Sequence, residues 1–275
     1  MSAKFKKDRV INLALFKSTL EEWQYNPAFI PIMAIGFLFL IGYSVVSVTF
    51  VDTPIHEASF SSVFWTALPA VALLGAGIIG KNVSSGILSV LFARPMRRYS
   101  YVLTRWLALS VASSALCLIL LAIEQIAAMA AFPGILPDFN TLSQAVARIS
   151  MCFGLSATFV MFSSIFPNTL DLGIWIMLSF TSNLIVEISH IEPCMISQMC
   201  CNDLNRKITE FVVPICKELA IPIQSLVSPY IDLSYLTHTM SVSWYAVFTY
   251  FSNIGLCLLI AIAIMNRKEV SYASK

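Results

Sequence analysis

The stretch that decides how the rest of this chain is interpreted is Lys81-Asn82-Val83-Ser84-Ser85-Gly86-Ile87-Leu88-Ser89-Val90-Leu91-Phe92-Ala93, followed by Arg94-Pro95-Met96-Arg97-Arg98. Residues 83–93 have the pattern of a short amphipathic helix, which Pro95 and the arginines bring to an end. The helix lies between two apolar segments of membrane length and is too short to cross a bilayer. We therefore expect it to lie at the membrane face, where a soluble partner can reach it.

The composition is that of a membrane protein. Of the 275 residues, 58% are hydrophobic and 12% are charged, whereas soluble domains are about half apolar and about a quarter charged. The net charge of +2 gives no reason to expect a nucleic-acid partner. The N-terminus is basic, but the first apolar run is too long for a signal peptide, so we expect it to remain as a span.

Six segments are candidates for membrane spans, since a transmembrane helix needs about 20 predominantly apolar residues. They are 28–50, 60–80, 106–123, 149–166, 172–186 and 243–265. The fourth and fifth are separated only by a tight turn at Pro167-Asn168. The predicted fold class is therefore all-α, a single polytopic transmembrane domain over residues 1–275.

The basic residues predict the orientation, because cytoplasmic loops carry an excess of Lys and Arg. With the N-terminus inside, four basic residues lie outside: Arg148, Arg206, Lys207 and Lys217. Thirteen lie inside: Lys4, Lys6, Lys7, Arg9, Lys17, Lys81, Arg94, Arg97, Arg98, Arg105, Arg267, Lys268 and Lys275. Aromatic residues suit both interfaces, with Tyr99, Tyr101 and Trp106 inside and Trp244 and Tyr245 outside. Both termini are therefore expected in the cytoplasm.

Two segments flank the spans. Residues 10–25 place Leu13, Phe16, Leu20 and Trp23 at helical spacing, with Lys17 and Glu21 positioned to pair, which predicts an interfacial helix on the cytoplasmic leaflet. Residues 189–242 form an external segment whose apolar pieces are too short to cross. These pieces are expected as external helices on the membrane surface.

The sequence shows no motif for catalysis or for nucleotide binding by this chain. Residues 75–82 nearly match a phosphate-binding loop, but Asn82 replaces the required Ser or Thr, and the glycines close a transmembrane helix. We expect these glycines to allow close helix packing instead. Pairs of catalytic carboxylates and the common nucleophile or metalloprotease motifs are also missing. The chain is therefore not expected to be an enzyme.

The seven cysteines fall into two groups. Cys117, Cys152 and Cys257 lie in spans and are expected to pack as small apolar side chains. The other four, Cys194, Cys200, Cys201 and Cys216, lie in the external segment, where disulfides with three alternative connectivities are expected. A copper(I) site is the alternative, because His190, Met195 and Met199 lie beside three of these cysteines. Glu124 and Glu187 end two spans, and we expect them to reach the interface rather than face a cavity.

Residues 82–98 resemble the segment that follows the second span in permeases of the type-2 exporter family of ATP-binding-cassette (ABC) transporters. Gly86-Ile87-Leu88, Leu91-Phe92-Ala93, Pro95 and Arg98 match the family pattern in order. The number of spans, the N-terminal helix and the long outer segment match as well, so the resemblance covers nearly the whole chain. It departs at Ser84-Ser85, where family members often carry Glu before the Gly.

The resemblance implies a permease subunit in the bacterial cytoplasmic (inner) membrane. Two such subunits, identical or homologous, would form the pathway in the lipid bilayer. Two copies of a separate ABC ATPase subunit would hold ATP and Mg, so this chain would bind no cofactor or metal. The 83–93 helix, the 10–25 helix and the Pro167-Asn168 turn would form the docking surface. The coupling residues would be Asn82, Ser85, Gly86, Ile87, Val90, Leu91, Phe92, Pro95 and Arg98.

Two other classes of function are compatible with six spans. An ion-coupled secondary transporter is expected to show buried charges in mid-span or broken helices, and the sequence has few such charges. A non-transporting membrane anchor for a cytosolic ATPase is the second alternative. The transported substrate, and the choice between homodimer and heterodimer, are left open by the sequence.

Overall fold

The computed structural model of the chain describes residues 13–25, 60–75, 97–131, 139–166, 170–189 and 244–267, together with the isolated positions 38, 42, 214, 215, 218, 222 and 227–229. Within these residues the fold is all-α, as predicted. The described helices are α1 (Leu13–Tyr25), α2 (Phe60–Gly75), α3 (Arg98–Ala131), α4 (Phe139–Ile165), α5 (Leu170–Ser189) and α6 (Trp244–Arg267).

Three of these helices, α3, α4 and α6, are long and apolar enough to cross a membrane. The helices α2 and α5 contain shorter apolar segments and occupy the positions of two more predicted spans. The remaining predicted span, 28–50, lies outside the described residues except for positions 38 and 42, which are helical. The described part of the chain is thus a bundle of several apolar helices, as expected of a multi-pass membrane protein.

The helix ends differ from the sequence prediction at two charged residues. The prediction ended the third span at Glu124, but α3 continues to Ala131. It began the fourth span at Ile149, just after Arg148, but α4 begins at Phe139. Both charges lie inside their helices because they pair with each other, so neither has to reach water.

Helix α4 lies at the centre of the described bundle and packs against α2, α3, α5 and α6. Of its most apolar stretch 67% is buried, against 28% for α6, so α6 has the larger outward-facing surface. Three neighbours donate side-chain hydrogen bonds to α4, because a polar group in an apolar surrounding needs a partner. These bonds are Trp106 Nε1 to Phe153 O (3.2 Å), Trp175 Nε1 to Thr158 Oγ1 (3.1 Å) and Tyr250 OH to Ser150 O (2.8 Å).

Close packing at the end of α2 confirms the role predicted for its first glycine. A Cβ atom built on Gly75 would lie 2.7 Å from Cε1 of Phe159 on α4, so only glycine lets the ring approach this closely. The Phe159 ring in turn meets the Trp175 ring of α5 edge to face, with centroids 5.1 Å apart. Helices α2, α4 and α5 are therefore joined at one level of the bundle.

The N-terminal helix α1 packs against α3. Its buried positions are Leu15 and Thr19, whereas Leu13, which the prediction assigned to the apolar face, is 68% exposed. The predicted ion pair between Lys17 and Glu21 is confirmed, with Nζ 3.6 Å from Oε1. Among the described side chains of α1, Leu15 and Thr19 thus face the bundle, while Lys17 and Glu21 lie at the surface.

The aromatic residues divide differently from the prediction. Trp244 and Tyr245 are 73% and 81% exposed at the start of α6, which suits an aromatic belt at the interface. Tyr101, however, is fully buried, and Trp106 is hydrogen-bonded to α4. These two rings pack within the protein because α4 lies directly against this part of α3.

Candidate functional site

Arg98 joins the two helices that meet at one end of the bundle. Its Nη1 atom donates hydrogen bonds to the carbonyl oxygens of Met265 (2.9 Å) and Asn266 (2.8 Å) in the last turn of α6. The last carbonyls of a helix lack partners within the helix, and a cation there is favoured by the helix dipole. We call this end the Arg98 end, and the opposite end the Glu124 end.

Arg98 is the only one of the predicted coupling residues that the described part of the chain includes. Its guanidinium is bonded to α6 rather than extended toward a soluble partner. The other coupling residues lie outside the described residues: Asn82, Ser85, Gly86, Ile87, Val90, Leu91, Phe92 and Pro95. Pro167 and Asn168 lie outside them too. Their role in docking therefore stays a prediction.

A buried carboxylate, which the sequence reading did not single out, lies in the first turn of α5 at the Arg98 end. Asp171 is fully buried, and its Oδ1 atom accepts a hydrogen bond from the backbone N–H of Leu172 (2.7 Å). The Ser163 side chain is a further hydrogen-bond partner, from the end of α4. An acidic group in the first turn of a helix is stabilised by the helix dipole. Asp171 therefore holds the α4–α5 hairpin together beside the predicted docking turn.

At the Glu124 end, a buried ion pair connects α3 to α4. Nη2 of Arg148 donates a hydrogen bond to Oε2 of Glu124, and the side chains are only 6% and 10% exposed. The Nε and Nη1 atoms of Arg148 are also buried, and they have no hydrogen-bond partner within the described residues. Burial of an ion pair brings little net stability, while removal of one partner leaves a buried, unpaired charge. Ionisable groups at such places are candidates for function.

The position of Arg148 along α4 puts this pair at membrane depth. Gly154 lies near the midpoint of the span Thr141–Ile165. Arg148 precedes it by six residues, or about 9 Å along a helix, which is less than the roughly 15 Å half-thickness of the hydrocarbon core. With that span centred in the bilayer, Arg148 is inside the hydrocarbon layer. Glu124 lies ten residues, or about 15 Å, from the midpoint of the span Arg98–Ala130, so the pair lies near the edge of this layer at the Glu124 end. The structure thus corrects the expectation that Glu124 reaches the interface, because a partner on α4 neutralises it within the bundle.

The three cysteines predicted to pack inside the bundle do so. Cys117, Cys152 and Cys257 are free and buried. The Sγ atoms of Cys117 and Cys152 lie 3.5 Å apart across the α3–α4 interface, and the Cys117 thiol also donates to the Thr66 carbonyl at 3.7 Å. The thiols therefore act as small packing groups that find polar partners in neighbouring helices.

The external cysteines could not be tested in the same way. Cys194, Cys200, Cys201 and Cys216 lie outside the described residues, as do His190, Met195 and Met199. Both the disulfides and the alternative copper(I) site therefore stay predictions. Among the residues that are described, three or more His, Cys, Asp or Glu side chains do not come together as they would in a metal site.

Part of the segment between α5 and α6 lies deep in the bundle. A Cβ atom built on Gly154 would overlap the carbonyl oxygen of Pro229, so these two residues are in direct backbone contact. Ser228 and Pro229 are buried and not helical. Since Gly154 lies near the middle of α4, this contact is deeper than the surface position predicted for 189–242. Non-helical backbone is tolerated at membrane depth only where protein or a water-filled cavity surrounds it.

Comparison with known proteins adds no relative to these observations. No protein-family model matches the chain, and no curated protein matches it. The functional interpretation therefore rests on the residues and on their arrangement in the bundle.

Proposed function

We propose that this chain is the membrane-spanning permease subunit of an ABC exporter. The observation that carries the proposal is the position of the 82–98 motif. The motif lies between two apolar segments, and the long membrane helix α3 begins at its last residue, Arg98. A short amphipathic segment fixed to the start of a span is well placed to receive force from a soluble partner.

In this proposal the Arg98 end faces the cytoplasm, as the excess of Lys and Arg indicates. The 83–93 segment, α1 and the Pro167-Asn168 turn form the surface on which the ATPase docks. Two permease subunits form the pathway, and two ATPase subunits bind ATP and Mg. ATP must bind more tightly to one conformation of the complex than to the other, since only differential affinity shifts an equilibrium.

The interior of the bundle supports transport over the alternative of a passive anchor. An anchor needs only apolar helices, yet this bundle buries the Glu124–Arg148 pair and packs non-helical backbone against Gly154. Buried charges and interrupted backbone at membrane depth are typical of proteins that carry polar groups across the bilayer.

The same two observations favour an ion-coupled secondary transporter as the second candidate. They are the features expected of that class, and the sequence had suggested that they would be scarce. The two candidates differ in their energy source. An exporter of the proposed class needs a bound ATPase, whereas a secondary transporter works with an ion gradient alone.

The decisive experiment purifies the chain from its native membranes and reconstitutes it in vesicles. We expect an ABC ATPase subunit to copurify, and a panel of added lipids, glycans, peptides and drugs to include a compound that stimulates ATP hydrolysis and is transported. The matched control is the same complex without Mg. Transport driven by a proton or sodium gradient in the absence of ATPase would support the second candidate, and a chain that binds no ATPase would refute the first.

A further inference from the structure

We propose that Arg98 is a positioning residue that fixes the last turn of α6 to the first turn of α3, so that both helix ends move as one unit during transport. The proposal rests on the proposed function, since it describes how a displacement at the Arg98 end reaches the last membrane helix. Arg98 acts through α6 and does not touch substrate or nucleotide.

The contact between Arg98 and α6, which we call the clamp, is made by one guanidinium nitrogen and two carbonyl oxygens. Nη1 donates to Met265 O at 2.9 Å and to Asn266 O at 2.8 Å, which joins residues 167 and 168 positions apart. Hydrogen bonds from a charged donor are shorter and about twice as strong as neutral ones. The negative end of the α6 dipole strengthens them further. Arg98 therefore holds the α6 terminus more firmly than an apolar contact would.

The residues of α6 in the two turns before the Arg98 contact are packed. Met265 is 2% exposed, and Ala261 and Leu258, one and two turns away, are also buried in the hydrophobic core. Helix α6 packs against both α4 and α3. Because close-packed interiors transmit strain rather than absorb it, a pull on the Met265 carbonyl moves the helix and not one side chain.

Two elements of the predicted docking surface adjoin α3. Helix α1 packs against α3, and its positions Leu15 and Thr19 are buried. The stretch from Lys81 onward reaches α3 at Arg98 itself. A soluble partner that moves either element therefore moves α3, and through Arg98 it moves α6. The clamp therefore connects the predicted docking surface to α6, the last of the described helices.

The first experiment tests whether the first turn of α3 and the last turn of α6 keep a constant distance in the wild-type complex. One spin-label pair is placed at positions 97 and 267, which are both exposed, and another at 259 and 177 on α6 and α5. Labels are introduced as unnatural amino acids, because the chain has seven cysteines. With ATP, Mg and vanadate we expect the 259–177 distance to change and the 97–267 distance to stay constant. A change across 97–267, or no change across 259–177, overturns the proposal.

The second experiment removes the clamp. Arg98→Gln should lose the ATP-driven change in the 259–177 distance, measured on complexes that have been separated from any chain without bound ATPase. Arg98→Lys should restore it, because the ammonium group keeps the charge and the donors. The matched control is Arg97→Gln, since Arg97 is exposed, lies over the Tyr99 ring at 5.9 Å and donates to Tyr99 OH. We expect this control to behave like the wild type.

The outcomes separate this inference from the proposed function. A folded Arg98→Gln complex with the full distance change shows that Arg98 is only a helix cap, and it leaves the exporter proposal intact. A wild-type chain that binds no ATPase refutes both. Where Arg98→Gln does not fold, the constancy of the 97–267 distance in the wild type decides the question alone.

Discussion

Arg148 and Glu124 pair across the α3–α4 interface although 24 residues separate them in the sequence. Both residues are buried, and Arg148 keeps two buried nitrogens without partners in the described part of the bundle. The pair thus joins α3 to α4 through one hydrogen bond and leaves two nitrogens of the cation without a partner among the described residues.

Removing one member of this pair should destabilise the protein strongly. Glu124→Leu and Arg148→Met should each lower the free energy of unfolding by about 3–5 kcal/mol, because the remaining charge is left buried and unpaired. The double variant Glu124→Leu/Arg148→Met should recover most of that loss. The measurement is denaturant or thermal unfolding in lipid nanodiscs, and additive effects of the two changes would show that the residues are not coupled.

The contact between Gly154 and Pro229 should make position 154 intolerant of a side chain. A Cβ atom at 154 meets backbone, which cannot rotate away, so Gly154→Ala should lower the melting temperature. The matched control is Gly173→Ala on α5, where a Cβ atom meets nothing within 4 Å. That change should be neutral or should stabilise the protein by up to about 1 kcal/mol, because the helix propensity of Ala is higher than that of Gly. Equal effects at both positions would contradict the deep placement of Pro229.

The predicted topology can be tested by labelling introduced cysteines. A cysteine at Asn205 should react with an impermeant maleimide added from outside, and one at Ser89 only after the cytoplasmic face is opened, because basic residues dominate one side. Peptide mass mapping after labelling of sealed and inverted vesicles identifies which cysteine carries the label, because the chain also has seven native cysteines. Reaction of both sites from one side would contradict the six-span arrangement.

The 83–93 segment should tolerate little added volume if it enters a groove of the ATPase. Gly86→Trp should insert at normal levels but lose ATPase binding, because the indole fills the groove. Leu259→Trp on an exposed part of α6 is the control of equal bulk. Phe92→Ala should weaken the complex by about 1–3 kcal/mol if Phe92 is a buried anchor. Copurification and affinity measurements test both, and normal transport by Gly86→Trp would show that force enters elsewhere.

The four cysteines of the external segment should form at least one disulfide when the protein is kept in air, since an oxidising compartment favours pairing. Mass spectrometry of peptides from the non-reduced protein should find a cross-link among Cys194, Cys200, Cys201 and Cys216. The internal control is Cys257, which is buried and free. Four free external thiols would contradict the prediction, and stoichiometric copper would favour the metal alternative.

Local features were predictable where the sequence pattern alone specifies them. The Lys17–Glu21 pair follows from helical spacing, and the close approach at Gly75 follows from the lack of a side chain. The exposure of Trp244 and Tyr245 follows from their position at the start of an apolar segment. The ion pair and the exposed aromatic residues depend on neighbours along the chain. At Gly75 the sequence predicts only that another helix can approach closely, and not that Phe159 is the residue that does so.

The sequence by itself determined that the described part of this chain is an α-helical bundle with membrane-length apolar helices, because apolar content and length are enough to specify spanning helices. Only the tertiary structure decided where the polar groups go. It paired Glu124 with Arg148, joined Arg98 to the α6 terminus and placed Pro229 against Gly154. Each contact joins residues on different segments, and its energy depends on how the helices pack around α4, which the order of residues does not reveal.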